Sequence, residues 1–130
     1  MRRRGDRIPG RRGYGGVLLV PCLLHAAYHY WFLADTGAAR TLITPDVALE
    51  LGLDPQTPVR QARIASVHQV VPAALVHLAS LQVGAQQLTN VEALVLPLPV
   101  ELRVDGLLGV NVLEHFRPTF EFAQATIVLR

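Results

Sequence analysis

The stretch Tyr28-His29-Tyr30-Trp31-Phe32-Leu33-Ala34-Asp35-Thr36-Gly37-Ala38 decides how this chain is read. Aromatic and apolar residues up to Ala34 suit a pleated, largely buried strand. The run ends on a carboxylate, followed by a small hydroxyl residue and a glycine, which suits a backbone turn that confines a single acid. Arg40-Thr41-Leu42-Ile43-Thr44 then leads away as a second short apolar segment. Further along, Val104-Asp105-Gly106-Leu107-Leu108-Gly109-Val110-Asn111-Val112-Leu113 supplies a second unusual pattern, two leucines enclosed by glycines.

The 130 residues suffice for one domain with a modest core. Apolar residues make up 51% and charged residues 17%, which excludes a disordered chain and suggests that some surface is covered by a partner. The net charge of +2 is unevenly spread: residues 1–12 carry six arginines and one acid, whereas the remainder is mildly acidic. Met1 to Gly16, rich in Arg and Gly and without apolar periodicity, reads as a disordered basic arm, leaving 17–130 as the folded domain. The arm lacks interleaved aromatics other than Tyr14, so nucleic acid is not an expected partner.

Cys22 is the lone cysteine, so an intrachain disulfide is impossible and a reducing compartment is permitted. The five histidines (25, 29, 68, 77 and 115) show no metal-ligand clustering, and no metal is expected. An arginine-rich start followed by Val17 to Ala34 has the outline of a signal or anchor. Pro21, His25, Tyr28, His29, Tyr30 and Trp31 interrupt it, whereas a span needs about 20 mostly apolar residues. No membrane span is expected, and the location is read as cytoplasmic.

Short strands dominate the remaining pattern. Val17–Leu24 and Tyr28–Ala34 read as a hairpin turning at His25-Ala26, and Thr41–Thr44 as a short strand. Pro45 to Gly52 reads as a helical turn capped by Thr44, opened by Pro45 and stopped by Gly52. Arg60–Ala65 and Gln69–Leu78 form a long hairpin with its tip near Ser66-Val67-His68. Leu81–Val83 and Leu88–Leu96 flank a turn at Gly84-Ala85-Gln86. The spacing of Leu108, Val112 and Phe116 predicts a helix over Leu107 to Phe116, and Thr119–Phe122 and Thr126–Leu129 close the chain as strands. The class is mainly β, a small closed barrel.

The Asp35 motif, its apolar lead-in, the following Thr-Leu-Ile and the distant Gly-Leu-Leu-Gly together resemble the half-site of the retropepsin-like aspartic protease family. The resemblance spans Val17 to Arg130. It implies an acid-protease barrel with one C-terminal helix, assembled as a C2 homodimer, because the chemistry needs two carboxylates and this chain supplies one. Asp35 is then the catalytic acid. Thr36 would reach across the dimer axis, and Gly37 would let a substrate backbone approach closely. Ala38, Ala39, Arg40, Ser66 and Val67 would contact substrate. Leu107, Leu108 and Gly109 would form an apolar strand crossing behind the Asp35 loop, with Asn111 at the start of the helix. The implied activity is endopeptidase hydrolysis of polypeptide by a water activated between Asp35 and its twin, with no cofactor.

Two departures stand out. Retroviral members pair an acid at the position of Ala39 with an arginine at the position of Val110, and both are absent together here. The hairpin tip also lacks glycine, which points to a stiffer lid. These motivate an alternative, a peptide-binding module with weak or no turnover. Asp105-Gly106 reads as a turn rather than a second catalytic acid. Ser66 and His68 lack any oxyanion signature and read as exposed.

Overall fold

The computed structural model describes residues 5–56, 60–65 and 70–130. The strands are β1 (Asp6–Pro9), β2 (Arg11–Arg12), β3 (Leu18–Leu24), β4 (Tyr28–Ala34), β5 (Thr41–Ile43), β6 (Arg60–Ala65), β7 (Val70–Val83), β8 (Gln86–Val95), β9 (Gly106–Leu108), β10 (Thr119–Glu121) and β11 (Thr126–Leu129). Two short helices, α1 (Pro45–Glu50) and α2 (Val110–Leu113), accompany them. Strands β2-β3-β4-β9-β5-β8-β7-β6 form one sheet, and a further β3–β7 pairing curls it back on itself. The six strands β3, β4, β9, β5, β8 and β7 therefore close a barrel, which removes the exposed edges of its wall.

Alternation along each strand sends one set of side chains inward. Leu18, Val20, Phe32, Ile43, Leu78 and Leu81 are buried in this interior together with Ile127 and Leu129 from the terminal strand. The hairpin between β3 and β4 turns on His25 and Ala26, both in the left-handed region (φ 53° and 58°). The His25 ring nitrogen Nε2 accepts the amide of Ala79 at 3.1 Å and fastens the turn to β7.

Helix α1 starts and stops on local signals alone. The Thr44 hydroxyl accepts the Val47 amide at 3.3 Å, and Pro45 takes the first position. At the far end Gly52 adopts φ 74°, its amide reaches Leu49 O, and the Leu53 amide reaches Ala48 O. This double return is the glycine-terminated cap that only a residue tolerant of positive φ can make.

Three expectations change. Residues 6–9 and 11–12, expected in a disordered arm, lie in strands: β1 pairs with β11, and β2 pairs with β3. Ile8 is buried against the core, and the Asp6 carboxylate accepts the Ala85 amide at 2.7 Å. Pairing of a strand edge depends on a distant partner, so no local periodicity announces it. Second, the helix expected over Leu107 to Phe116 is a single turn, Val110–Leu113, because Leu107 and Leu108 are drawn into β9 between two strands. Third, β7 runs unbroken to Val83 where two segments were expected. The hairpin tip Ser66-Val67-His68 lies outside the described residues, so the substrate contacts expected of Ser66 and Val67 do too.

Candidate active site

Strand β9 is the pivot of the site. It runs parallel to β4, with Leu33 opposite Leu107 and Ala34 opposite Leu108, and antiparallel to β5, with Leu42 opposite Leu107. Asp35 follows β4 directly, and its amide donates to Leu108 O at 3.0 Å, so the Gly-Leu-Leu-Gly segment fixes where the acid leaves the sheet. The Gly37 amide donates to Asp35 Oδ1 at 2.9 Å, and the Ala38 amide donates to Asp35 O at 3.3 Å. A β-carbon on Gly37 would come within 3.2 Å of Oδ1. The second oxygen, Oδ2, and the Thr36 hydroxyl have no hydrogen-bond partner among the described residues.

The Asp35 loop is bolted to α2 through groups a helix normally leaves free. The first amides of a helix have no intrahelical acceptor. Here the Val110 amide donates to Ala38 O at 2.8 Å and the Asn111 amide to Ala39 O at 3.2 Å, while the Gly109 amide donates to Thr41 Oγ1 at 3.1 Å. Thr41, wholly buried, donates its hydroxyl to Asn111 Oδ1 at 2.9 Å and its amide to the same oxygen at 2.7 Å. Asn111 Nδ2 completes the network on Glu92 O at 2.9 Å. Ala39 and Val110 thus stand beside a neutral network that holds the loop without a buried ion pair, and no uncompensated charge remains.

The expected residues fall into place unevenly. Asp35, Thr36, Gly37, Ala38 and Ala39 share one turn, and Leu107, Leu108 and Gly109 lie against it. Arg40 is half-exposed, with Nε 3.6 Å from Glu92 Oε2; Glu92 Oε1 in turn is 3.9 Å from His77 Nε2. Asp105 acts as a pin, since its carboxylate accepts the Trp31 amide at 2.9 Å and its own amide donates to Trp31 O at 2.8 Å. Thr41 and Glu92 went unnoticed in the sequence. A threonine opening an apolar trio was the only signal for Thr41, and its partner lies 70 positions away.

The registers reveal one further arrangement. Leu19, Leu33, Leu107, Leu42, Leu94 and Leu75 are successive neighbours across β3, β4, β9, β5, β8 and β7, a single leucine row around the wall. Neighbours in register point to the same side of a sheet. Leu19, Leu33, Leu42, Leu75 and Leu94 are buried yet lie apart from the interior cluster, so the row faces the outer side of the barrel. Asp35 stands two residues beyond Leu33 on this face.

No helix among the described residues is long and apolar enough to cross a membrane. The barrel, its parallel–antiparallel pivot and the Asp-Thr-Gly turn together define an aspartic-protease fold of the retropepsin-like kind. A family model described as aspartyl protease matches residues 20–112, most of the chain, and the protein belongs to that family. Among solved structures, a retropepsin-like aspartic protease from Rickettsia conorii is similar, with a TM-score of 0.73 at 22% identity over 99% of this chain and 96% of that one. No curated protein matches the chain.

Proposed function

We propose that the chain is an aspartic endopeptidase that works as a homodimer, pairing Asp35 with the same residue of a second copy. The observation that carries this reading is the Asp35 carboxylate: one oxygen is held by the Gly37 amide, the other has no hydrogen-bond partner among the described residues, and the sequence provides no second such motif. Two carboxylates brought together around a water share one proton, because two like charges at that distance do not both ionise. One carboxylate takes a proton from the water as it attacks the peptide carbonyl. The other delivers its proton to the carbonyl oxygen. Their titration belongs to the pair, and activity is highest at mildly acidic pH.

The Thr36 hydroxyl, without a hydrogen-bond partner among the described residues, supports a role across the two-fold axis, where it would bind the partner's loop and set the spacing of the acids. An extended polypeptide would lie across the Asp35 loop as an added strand, beneath the β6–β7 hairpin. The lone, buried Cys22 is compatible with a cytoplasmic location.

The test is cleavage of a peptide library together with mass in solution. Parent protein should cleave, Asp35→Asn should lose at least about a thousandfold in rate, and the active species should have twice the chain mass. Equal cleavage by Asp35→Asn, or activity from a strict monomer, defeats the reading. Peptide binding without turnover would instead favour the binding module, to which Ala39, with no polar side chain in the Asp35 loop, gives some support.

A further inference from the structure

The leucine row does not end on a leucine. Next to Leu19 in register stands Arg11 of β2, and its guanidinium carbon lies 4.3 Å from the centre of the Trp31 ring. Arg11, Arg12 and Arg103, with Tyr14 and Leu19, line an open concavity of about 320 Å³. Arg103 occupies the left-handed region (φ 51°) where the loop before β9 turns back, and that turn presents it to the same hollow as β2. Glu101 is the one acid on its wall, and it is exposed.

None of the three guanidiniums forms an ion pair or a hydrogen bond among the described residues. Elsewhere Arg7 pairs with Glu121 and Arg40 faces Glu92. Three guanidiniums held around one hollow repel one another, and one exposed carboxylate does not balance them. An anion of planar, two-oxygen geometry does, because the guanidinium fork matches a carboxylate with two parallel hydrogen bonds. Trp31 holds the Arg11 guanidinium, the β2–β3 ladder fixes the backbone of Arg11 and Arg12, and the reversed turn fixes the backbone of Arg103.

Its position says what the anion belongs to. The Arg11 guanidinium lies over Trp31, four residues before Asp35, which places the hollow about 13 Å from the acid along β4. An extended peptide covers that distance in about three or four residues. We propose that the Arg11–Arg12–Arg103 hollow is a subsite for an acidic side chain of the polypeptide bound at Asp35, three or four positions from the bond cleaved. The proposal rests on the reading of the chain as a peptide hydrolase, and it narrows that reading to apolar segments flanked by aspartate or glutamate.

Two measurements test it separately from that reading. The first uses full-length Asp35→Asn protein and fluorescence anisotropy with two labelled decapeptides of equal apolar centre, one bearing an Asp-Glu pair four residues out and the other Asn-Gln. The acidic peptide should bind about tenfold tighter at low salt. The preference should vanish in Arg12→Gln/Arg103→Gln, and should shrink as sodium chloride rises. The second measurement is library cleavage by the parent, where acidic residues should be enriched three or four positions from the cut and lost in the same double variant. Arg12 and Arg103 are exposed, so the fold should survive, and circular dichroism checks it; Arg11→Lys, which keeps the charge but not the fork, should lose part of the preference.

Equal binding of the two peptides, or a preference that persists in the double variant, overturns the subsite. Tighter binding of inorganic phosphate or a short oligonucleotide than of the acidic peptide overturns it as well. Cleavage without acid enrichment removes the proposal and leaves the protease standing. Absence of any Asp35-dependent cleavage removes the protease reading, and the anisotropy result still decides the hollow.

Discussion

The Gly109 amide donates to the buried hydroxyl of Thr41 at 3.1 Å, joining residues 68 positions apart at the point where the Asp35 loop meets α2. Thr41 also binds Asn111 through its hydroxyl and its amide, so one residue fastens both ends of the site.

Replacing Thr41 by valine keeps the shape and removes the hydroxyl, leaving the Gly109 amide without its acceptor. Buried unsatisfied groups cost about 1–3 kcal/mol each. Thr41→Val should therefore lose about 2 kcal/mol and roughly 5–10 °C in melting temperature, while Thr41→Ser loses less. Asn111→Leu in the same background should not add fully, because both changes break one network. Denaturant melts of the four proteins check this, and full additivity counts against the coupling.

Gly109 leaves no room for a side chain. A β-carbon there would collide with the Arg40 backbone and stand 2.8 Å from Ala38 O, all main-chain atoms of the Asp35 loop. Gly109→Ala should cost on the order of 3 kcal/mol or more and abolish Asp35-dependent cleavage. Val110→Thr, one residue on and 38% exposed, should stay within about 0.5 kcal/mol. Thermal melts and cleavage assays of the two variants separate the cases.

Tyr30 makes stability fall at high pH. Burial, then the hydrogen bond to Glu50 at 3.1 Å, pushes its phenol up from 10 to about 12. The protonated phenol is favoured in the fold, so its contribution is complete below pH 10 and disappears as pH rises through 12. Tyr30→Phe should flatten the stability curve in that window. Urea midpoints from pH 8 to 12 read the effect; equal slopes for both proteins would contradict it.

Cys22 should be silent to thiol reagents in the native state. It is buried among core residues, and burial pushes its thiol far above the usual range. Labelling needs the thiolate and access to it. Modification should therefore follow global opening and accelerate with urea in step with unfolding. Rapid labelling in native buffer would contradict the burial.

The amino-terminal strand should matter to stability. Ile8 is buried, and Arg7 holds Glu121 of β10 through a hydrogen-bonded ion pair. That hydrogen bond lowers the Glu121 pKa, so the contribution is present above the ordinary glutamate value and is lost as pH falls through the lowered one. Deleting residues 1–9 should lower the melting temperature clearly, whereas Glu121→Gln should change it little, since exposed pairs contribute weakly. An unchanged melting temperature for the deletion would mean that β1 is dispensable.

Local chemistry was legible from the start: the β3–β4 hairpin, the Thr44-capped and Gly52-terminated α1, and the Asp35 turn each depend on neighbours in the chain. Where two local patterns competed, the wrong one looked stronger. Leu108, Val112 and Phe116 have helical spacing, yet Leu108 belongs to β9 because its carbonyl takes the Asp35 amide. Likewise residues 6–9 and 11–12 carry no strand periodicity and become strands only because β11 and β3 offer them edges.

By itself, then, the sequence determined the barrel class, the place of the acid and the fact that each chain carries one such motif, since periodicity and turn chemistry act over a few residues. Only the tertiary structure decided that Thr41 and Asn111 hold the loop, that six leucines align in one row, and that Arg11, Arg12 and Arg103 share a hollow. Those relations join residues tens of positions apart, and their geometry comes from the register between strands, which no single segment encodes.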